Sequence, residues 1–154
     1  MAMNAVKVLL SLVTGAIVGA IQDYPRLPAR DNFQIVSSPG KVREEDAFLV
    51  GRPGVRVPPA WSPLFVSSAP GFIDPGEFPR ILEEIVKSLR ENPKRAVVIT
   101  CPEYLALYNG FRALLKFLHT VRDYAMLNGG RVYLVTDKDV WNEKEYAMLT
   151  GLEV

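Results

Sequence analysis

Five consecutive residues, Ala96 to Thr100, read Ala-Val-Val-Ile-Thr without polar alternation, and such a run fits a strand covered on both faces of a sheet. A strand of that kind needs packing partners, and the flanking sequence supplies them. Upstream, Phe78, Ile81, Leu82, Ile85, Val86 and Leu89 share one helical face, while Arg80, Glu83, Glu84, Lys87 and Arg90 lie elsewhere. Asp74 and Glu77 have capping-box spacing with Pro75 at the first helical position, Pro79 being the alternative marker of the first turn, and Asn92-Pro93 ends the helix. Downstream, Asn109-Gly110 precedes a long helix whose buried stripe is Phe111, Leu114, Leu115, Leu118, Val121 and Ala125, closed by Gly129-Gly130. Arg131 to Thr136 is the next strand, and Asn142 with Glu145 caps a last helix carrying Tyr146, Met148 and Leu149. Strand, helix, strand, helix at these lengths predicts a parallel sheet with right-handed crossovers.

The first half is more irregular. Phe33 to Val36, Ala47 to Val50 and Leu64 to Ser67 are short strand candidates, separated by Gly51, Pro53, Gly54, Pro58, Pro59 and Pro63. No helix is evident between Asp23 and Ile73. Ser37-Ser38-Pro39-Gly40-Lys41 resembles the end of a phosphate-binding loop, but Ile35 stands where such a loop needs glycine and Val42 where it needs Ser or Thr. A Pro-Gly-Lys turn accounts for the same residues.

At 154 residues with a net charge of +1, the chain suits one domain and carries no field that favours nucleic acid. Binding of nucleic acid through Arg52, Arg56, Lys94 and Arg95 is therefore the least favoured partner class. One cysteine, Cys101, excludes an intramolecular disulfide framework, and one histidine, His119, puts classical zinc sites out of reach. His119 sits four residues before Asp123 on the polar side of its helix, which predicts a surface pair in place of general-base catalysis. Cys101 follows a buried strand with nothing nearby in sequence to lower its pKa, so it reads as apolar filler.

Residues 1–22 hold a single charge, Lys7. Val6 to Ile21 is long enough for a membrane anchor if Lys7 reaches the interface, and Ser11, Gly15 and Gly19 place small side chains on one stripe suited to helix pairing or dimerisation. Two other readings stay open: a cleaved secretory signal ending near Val18-Gly19-Ala20, and a helix packed on the domain's own sheet. Residues 23–31, with Pro25 and Pro28, form a linker, and the domain proper spans 32–154.

Glu103-Tyr104-Leu105, Asn109-Gly110-Phe111, Lys116-Phe117-Leu118, Arg122-Asp123-Tyr124 and Asp137 after a strand resemble the C-terminal half of the domain of unknown function 835. Val50-Gly51-Arg52-Pro53 and Pro63-Leu64-Phe65-Val66 resemble its preceding strand ends. The resemblance implies an archaeal protein, common in heat-loving groups and often joined to membrane segments; the abundance of Glu, Lys and Arg agrees with a thermophile. It also implies a degenerate core similar to RecA-like or KaiC-like ATPases. Family members usually end the central strand in an acid, where this chain has Thr100, and a hydroxyl cannot replace a metal-facing carboxylate. The helix usual between the family's first two strands is missing as well.

The strand end nominates Glu103, Thr100, Asp137 and Asp139 as ligand-binding candidates, since ligands of parallel α/β folds bind at the carboxyl ends of strands. Glu103 serves equally well as a cap or ion-pair partner, and Asp137-Lys138-Asp139 as a solvated turn. Tyr104, Tyr108, Tyr124 and Trp141 offer either an aromatic recognition surface or packing. The expectation is a single α/β domain with a mostly parallel sheet flanked by helices, degenerate and P-loop-like, plus the apolar N-terminal helix. Its expected role is a noncatalytic interaction or regulatory module with a protein partner or a second copy of itself, without metal or cofactor, membrane-associated with a cytoplasmic domain. The alternatives are a nucleotide-binding or hydrolytic enzyme using the strand-end carboxylates, and a soluble cytoplasmic location.

Overall fold

A computed structural model of the chain describes residues 32–153; the anchor, signal and small-residue stripe of residues 1–22, and the linker, lie outside them. Five strands, β1 (Phe33–Val36), β2 (Ala47–Gly51), β3 (Ser62–Phe65), β4 (Ala96–Ile99) and β5 (Val132–Val135), form one sheet in the order β1-β5-β4-β2-β3, every pair parallel. The α-helices are α1 (Phe78–Glu91), α2 (Pro102–Asn109), α3 (Phe111–Leu127) and α4 (Glu143–Thr150). The sheet is all-parallel where the sequence predicts a mostly parallel one.

Uniform crossover handedness explains the layering. The β1-to-β2 and β2-to-β3 connections travel one way along the sheet, and the β3-to-β4 and β4-to-β5 connections travel the other. Right-handed crossovers must then place the two sets on opposite faces. The core divides accordingly. Phe48, Val50, Val97, Ile99, Val132 and Leu134 pack with residues of α1, α3 and α4 on one face. Ala47, Leu49, Ala96, Val98, Tyr133 and Val135 face Val42, Trp61, Val55 and Val57, which come from irregular connections.

Those connections are fixed by specific bonds in place of a helix. Trp61 Nε1 donates to the Glu44 carbonyl at 3.1 Å, and Tyr133 donates its hydroxyl to the Glu44 carboxylate at 2.7 Å. Asp46 accepts from Asn92 Nδ2 at 2.7 Å and from Arg95 Nε at 3.0 Å. Pro39-Gly40-Lys41 forms one 3-10 turn, so no helix begins where a phosphate cradle needs one.

Several local expectations change, among them the third strand, which runs Ser62–Phe65 and not Leu64 to Ser67, Val66 keeping only an isolated bridge to Ile73. The first helix begins at Phe78 with Pro79 in its first turn; Asp74 instead accepts from Gly76 N–H at 2.8 Å, a turn bond that replaces the capping box. The stretch before Gly110 is a separate helix, α2. Gly110 adopts φ 87° and ψ 157° between α2 and α3, a conformation that side-chain-bearing residues rarely take, so the helical path breaks there. The Asn142 and Glu145 capping box is present with both of its bonds. In α3, Phe117 and Tyr124 join the buried stripe, whereas Phe111 and Leu115 are only partly buried. Asp123 pairs with Arg122 at 3.6 Å and His119 is exposed, so no His119–Asp123 pair forms.

Candidate functional site

β2 and β4 are adjacent, yet the chain leaves them in opposite directions along the sheet, toward β3 and β5. That divergence opens a crevice at their carboxyl ends, the place where open parallel sheets bind ligands. A cleft of about 490 Å³ lies there, lined by Arg52 and Val55 after β2 and by Thr100, Cys101, Glu103 and Leu107 after β4.

Close contact between the two strand ends sets its floor. Thr100 donates its hydroxyl to the Val50 carbonyl at 3.1 Å. A Cβ added to Gly51 would stand 2.5 Å from Thr100 Oγ1 and 3.0 Å from Leu49 Cδ2, so glycine is what lets these side chains fit. Thr100 is thus tied to the backbone, with its hydroxyl proton committed.

Glu103 lies in the first turn of α2, where its charge complements the helix dipole. The Thr136 hydroxyl donates to its carboxylate, and Trp141 Nε1 donates to Thr136 Oγ1 at 2.8 Å. Trp141 rests edge-on against Phe111, with ring centroids 5.6 Å apart. A chain of contacts therefore pins Glu103 to the end of β5. Thr136→Val leaves the indole N–H without this acceptor and the carboxylate without this donor, so it is expected to cost about 1–3 kcal/mol. Urea denaturation checks this; a loss within the error of the extrapolation would show that solvent replaces both bonds.

Arg52 is exposed and lies with its guanidinium carbon 4.2 Å from the centre of the Tyr104 ring. Tyr104 packs edge-on against Tyr108 at 5.0 Å and accepts at its hydroxyl from Ser68 N–H at 3.2 Å. Tyr124, by contrast, is 2% exposed and belongs to the core. The aromatic set therefore divides between a surface pair on α2 and interior packing.

Cys101 is buried, and burial pushes its thiol up to about 12, reinforced by the Glu103 charge and opposed by Arg52. A thiol held neutral at ordinary pH is a poor nucleophile. Asp137 and Asp139 do not line the cleft with Glu103; both are exposed, and Asp137 accepts from Asp139 N–H at 3.1 Å to cap a 3-10 turn over Lys138–Val140. Among the described residues no group of three His, Cys, Asp or Glu side chains could hold a metal ion.

Arg52 is the residue that sequence reasoning passed over as a cleft component. Its only signal was a place directly after a strand, inside a string noted for its family likeness.

The fold and cleft define a class: an all-parallel α/β domain with an open switch-point crevice, in which Thr100 is engaged by the Val50 carbonyl and Glu103 by the Thr136 hydroxyl. Within that class, the chain belongs to the family described as Protein of unknown function (DUF835), whose sequence profile matches residues 50–152. The match begins inside β2 and leaves β1 outside it. No curated protein and no solved structure matches the chain.

Proposed function

We propose that the protein is a noncatalytic interaction or regulatory module whose recognition surface is the exposed side of α2 and the cleft beside it. The carrying observation is that α2 lies at the surface yet presents apolar side chains outward. Leu105 is fully buried, while Leu107 is 79% and Tyr108 46% exposed. A helix apolar on its outer side normally has another surface against it. The engaged chemical groups support the same reading, since Thr100, Glu103 and Cys101 are each spent on internal bonds or burial.

The second reading, a nucleotide-binding or hydrolytic enzyme with a degenerate RecA-like or KaiC-like core, is favoured by one observation: the cleft occupies the usual ligand position of parallel α/β sheets. Against it stand the missing helix after β1 and the absence of a second carboxylate beside Glu103 in the cleft. Calorimetry of the full-length chain with ATP and GTP separates the two. No saturable heat is expected, and saturable binding that Glu103→Ala abolishes would overturn the interaction reading.

The apolar segment Val6 to Ile21, together with the family likeness, supports tethering of the module to an archaeal membrane. Among the described residues no helix is long and apolar enough to cross one. Fractionation of the native host tests the tether, and recovery of the intact chain in the soluble fraction without detergent removes it.

A further inference from the structure

Opposite charges flank α2 at the carboxyl end of the sheet. On the β2 side, residues 52–73 contain Arg52 and Arg56 and no acidic residue, and both arginines are exposed. On the β5 side, residues 137–145 carry Asp137, Asp139, Glu143 and Glu145 against Lys138 and Lys144. The two sides do not neutralise each other within one chain: among the described residues neither arginine pairs with an acid, and neither Asp137 nor Asp139 with a base. Asp137 uses its carboxylate to cap its own turn, which leaves Asp139 as the less engaged acid.

The apolar groups gather at the same end. Of the five large apolar side chains exposed among the described residues, Phe72, Leu107, Tyr108 and Val140 follow the carboxyl ends of β3, β4 and β5, and only Met148 lies further along, on α4. The surface is therefore apolar at α2, with the exposed Arg52 and Arg56 on the β2 side and the exposed Asp137 and Asp139 on the β5 side, while the acids Asp74 and Glu77 follow Phe72 toward α1.

That arrangement is self-complementary by topology. β4 sits between β5 and β2 in the sheet, with each neighbour about 4.8 Å away. A two-fold axis near the end of β4 and normal to the sheet lays the acidic side of one copy over the basic side of another. An isologous interface needs one patch that contains both halves of its own complement, and this patch does.

Resting on the interaction reading above, we infer that this face pairs with a second copy of the same chain. Leu107 and Tyr108 pack about the two-fold axis, and Arg52 of each copy meets Asp139 of the other. The pairing is sensitive to salt, because its flanks are exposed charges. It also covers the cleft, which suits a module that turns over no substrate.

Sedimentation equilibrium of the full-length chain at about 0.1 mM, a concentration that detects even a weak dimer, tests the pairing. Arg52→Asp and Asp139→Arg are each expected to weaken association at least about tenfold, and the double reversal to recover it to within about threefold of the parent chain. Leu107→Cys is expected to crosslink two copies through a short bis-maleimide, since the native Cys101 is buried. A chain that stays monomeric overturns the inference. So does self-association that none of these variants alters, which places the contact elsewhere, or a double reversal that recovers nothing. Each of those failures leaves the interaction reading standing; that reading falls separately, on nucleotide binding in calorimetry.

Discussion

Leu105→Ala is expected to lower the unfolding free energy by about 2–5 kcal/mol, the range for removing a buried leucine from a packed core. Leu105 is fully buried among the side chains of α1, α3 and the sheet. It is also the principal apolar anchor of an eight-residue helix, a length far too short to be stable by itself in water. Two polar contacts hold the helix as well: Tyr104 accepts from Ser68 N–H, and Asn109 Nδ2 donates to the Pro75 carbonyl at 2.8 Å. Neither replaces the lost packing. Urea denaturation should show a lower midpoint with an unchanged slope, and the loosened helix should weaken any association through Leu107 and Tyr108. Leu107→Ala, two residues along on the exposed side, should shift stability by no more than about 0.5 kcal/mol. Equal effects of the two substitutions would mean that α2 is not seated as described.

Alkaline pH is expected to destabilise the protein through Cys101, and Cys101→Ala to remove that component. Burial favours the neutral thiol and raises its pKa from 9.0 to about 12. A group with a raised folded pKa binds its proton more tightly in the folded state. Its contribution is therefore fully present below 9, where the unfolded thiol is also protonated, and is lost as pH rises toward 12. Three units correspond to a difference on the order of 4 kcal/mol at the top of that window. Tyrosines and lysines titrate in the same range, so the informative quantity is the gap between parent and Cys101→Ala stability, measured by denaturation from pH 8 upward. A gap that does not change with pH would show that the thiol ionises in the fold as freely as in the unfolded chain. Below pH 9 the same burial should keep Cys101 unreactive toward maleimides.

Much of the architecture was legible because local patterns report local structure. The unalternated Ala96 to Ile99 run is a fully buried strand, and the six-residue apolar face of α1 is the face that packs, with Phe78 alone partly buried. The Asn142 and Glu145 spacing forms its capping box. Departures fell where a local signal admitted two structures. Glu103 to Asn109 reads as a strand-to-helix turn, and the structure makes it a helix of its own, ended at Gly110 by that residue's backbone angles. Pro75 and Pro79 compete for the first turn, and the Asp74 turn bond settles the choice for Pro79.

The candidate site was only half legible. Thr100 and Glu103 could be placed at a strand end from sequence, but their employment could not. Thr136 takes up Glu103 from 33 residues away, and Val50 takes up Thr100 from 50 residues away. Asp137 and Asp139 belong to the neighbouring strand end and still stay outside the cleft, because their turn folds on itself.

By itself the sequence determined the strands β1, β2, β4 and β5 and the helices α1, α3 and α4, that the residues of a phosphate loop or a classical zinc site are lacking, and that β4 is a buried strand of a mostly parallel sheet. These follow from hydrophobic period, turn chemistry and residue inventory, all properties of neighbouring residues. Only the tertiary structure decided the order β1-β5-β4-β2-β3, and with it the crevice between β2 and β4, the stack of Arg52 on Tyr104 and the charge asymmetry across α2. Parallel strands pair through backbone groups that are alike in every strand, so the choice of neighbour rests on packing between residues tens of positions apart, such as Gly51 against Thr100, and no local pattern encodes it.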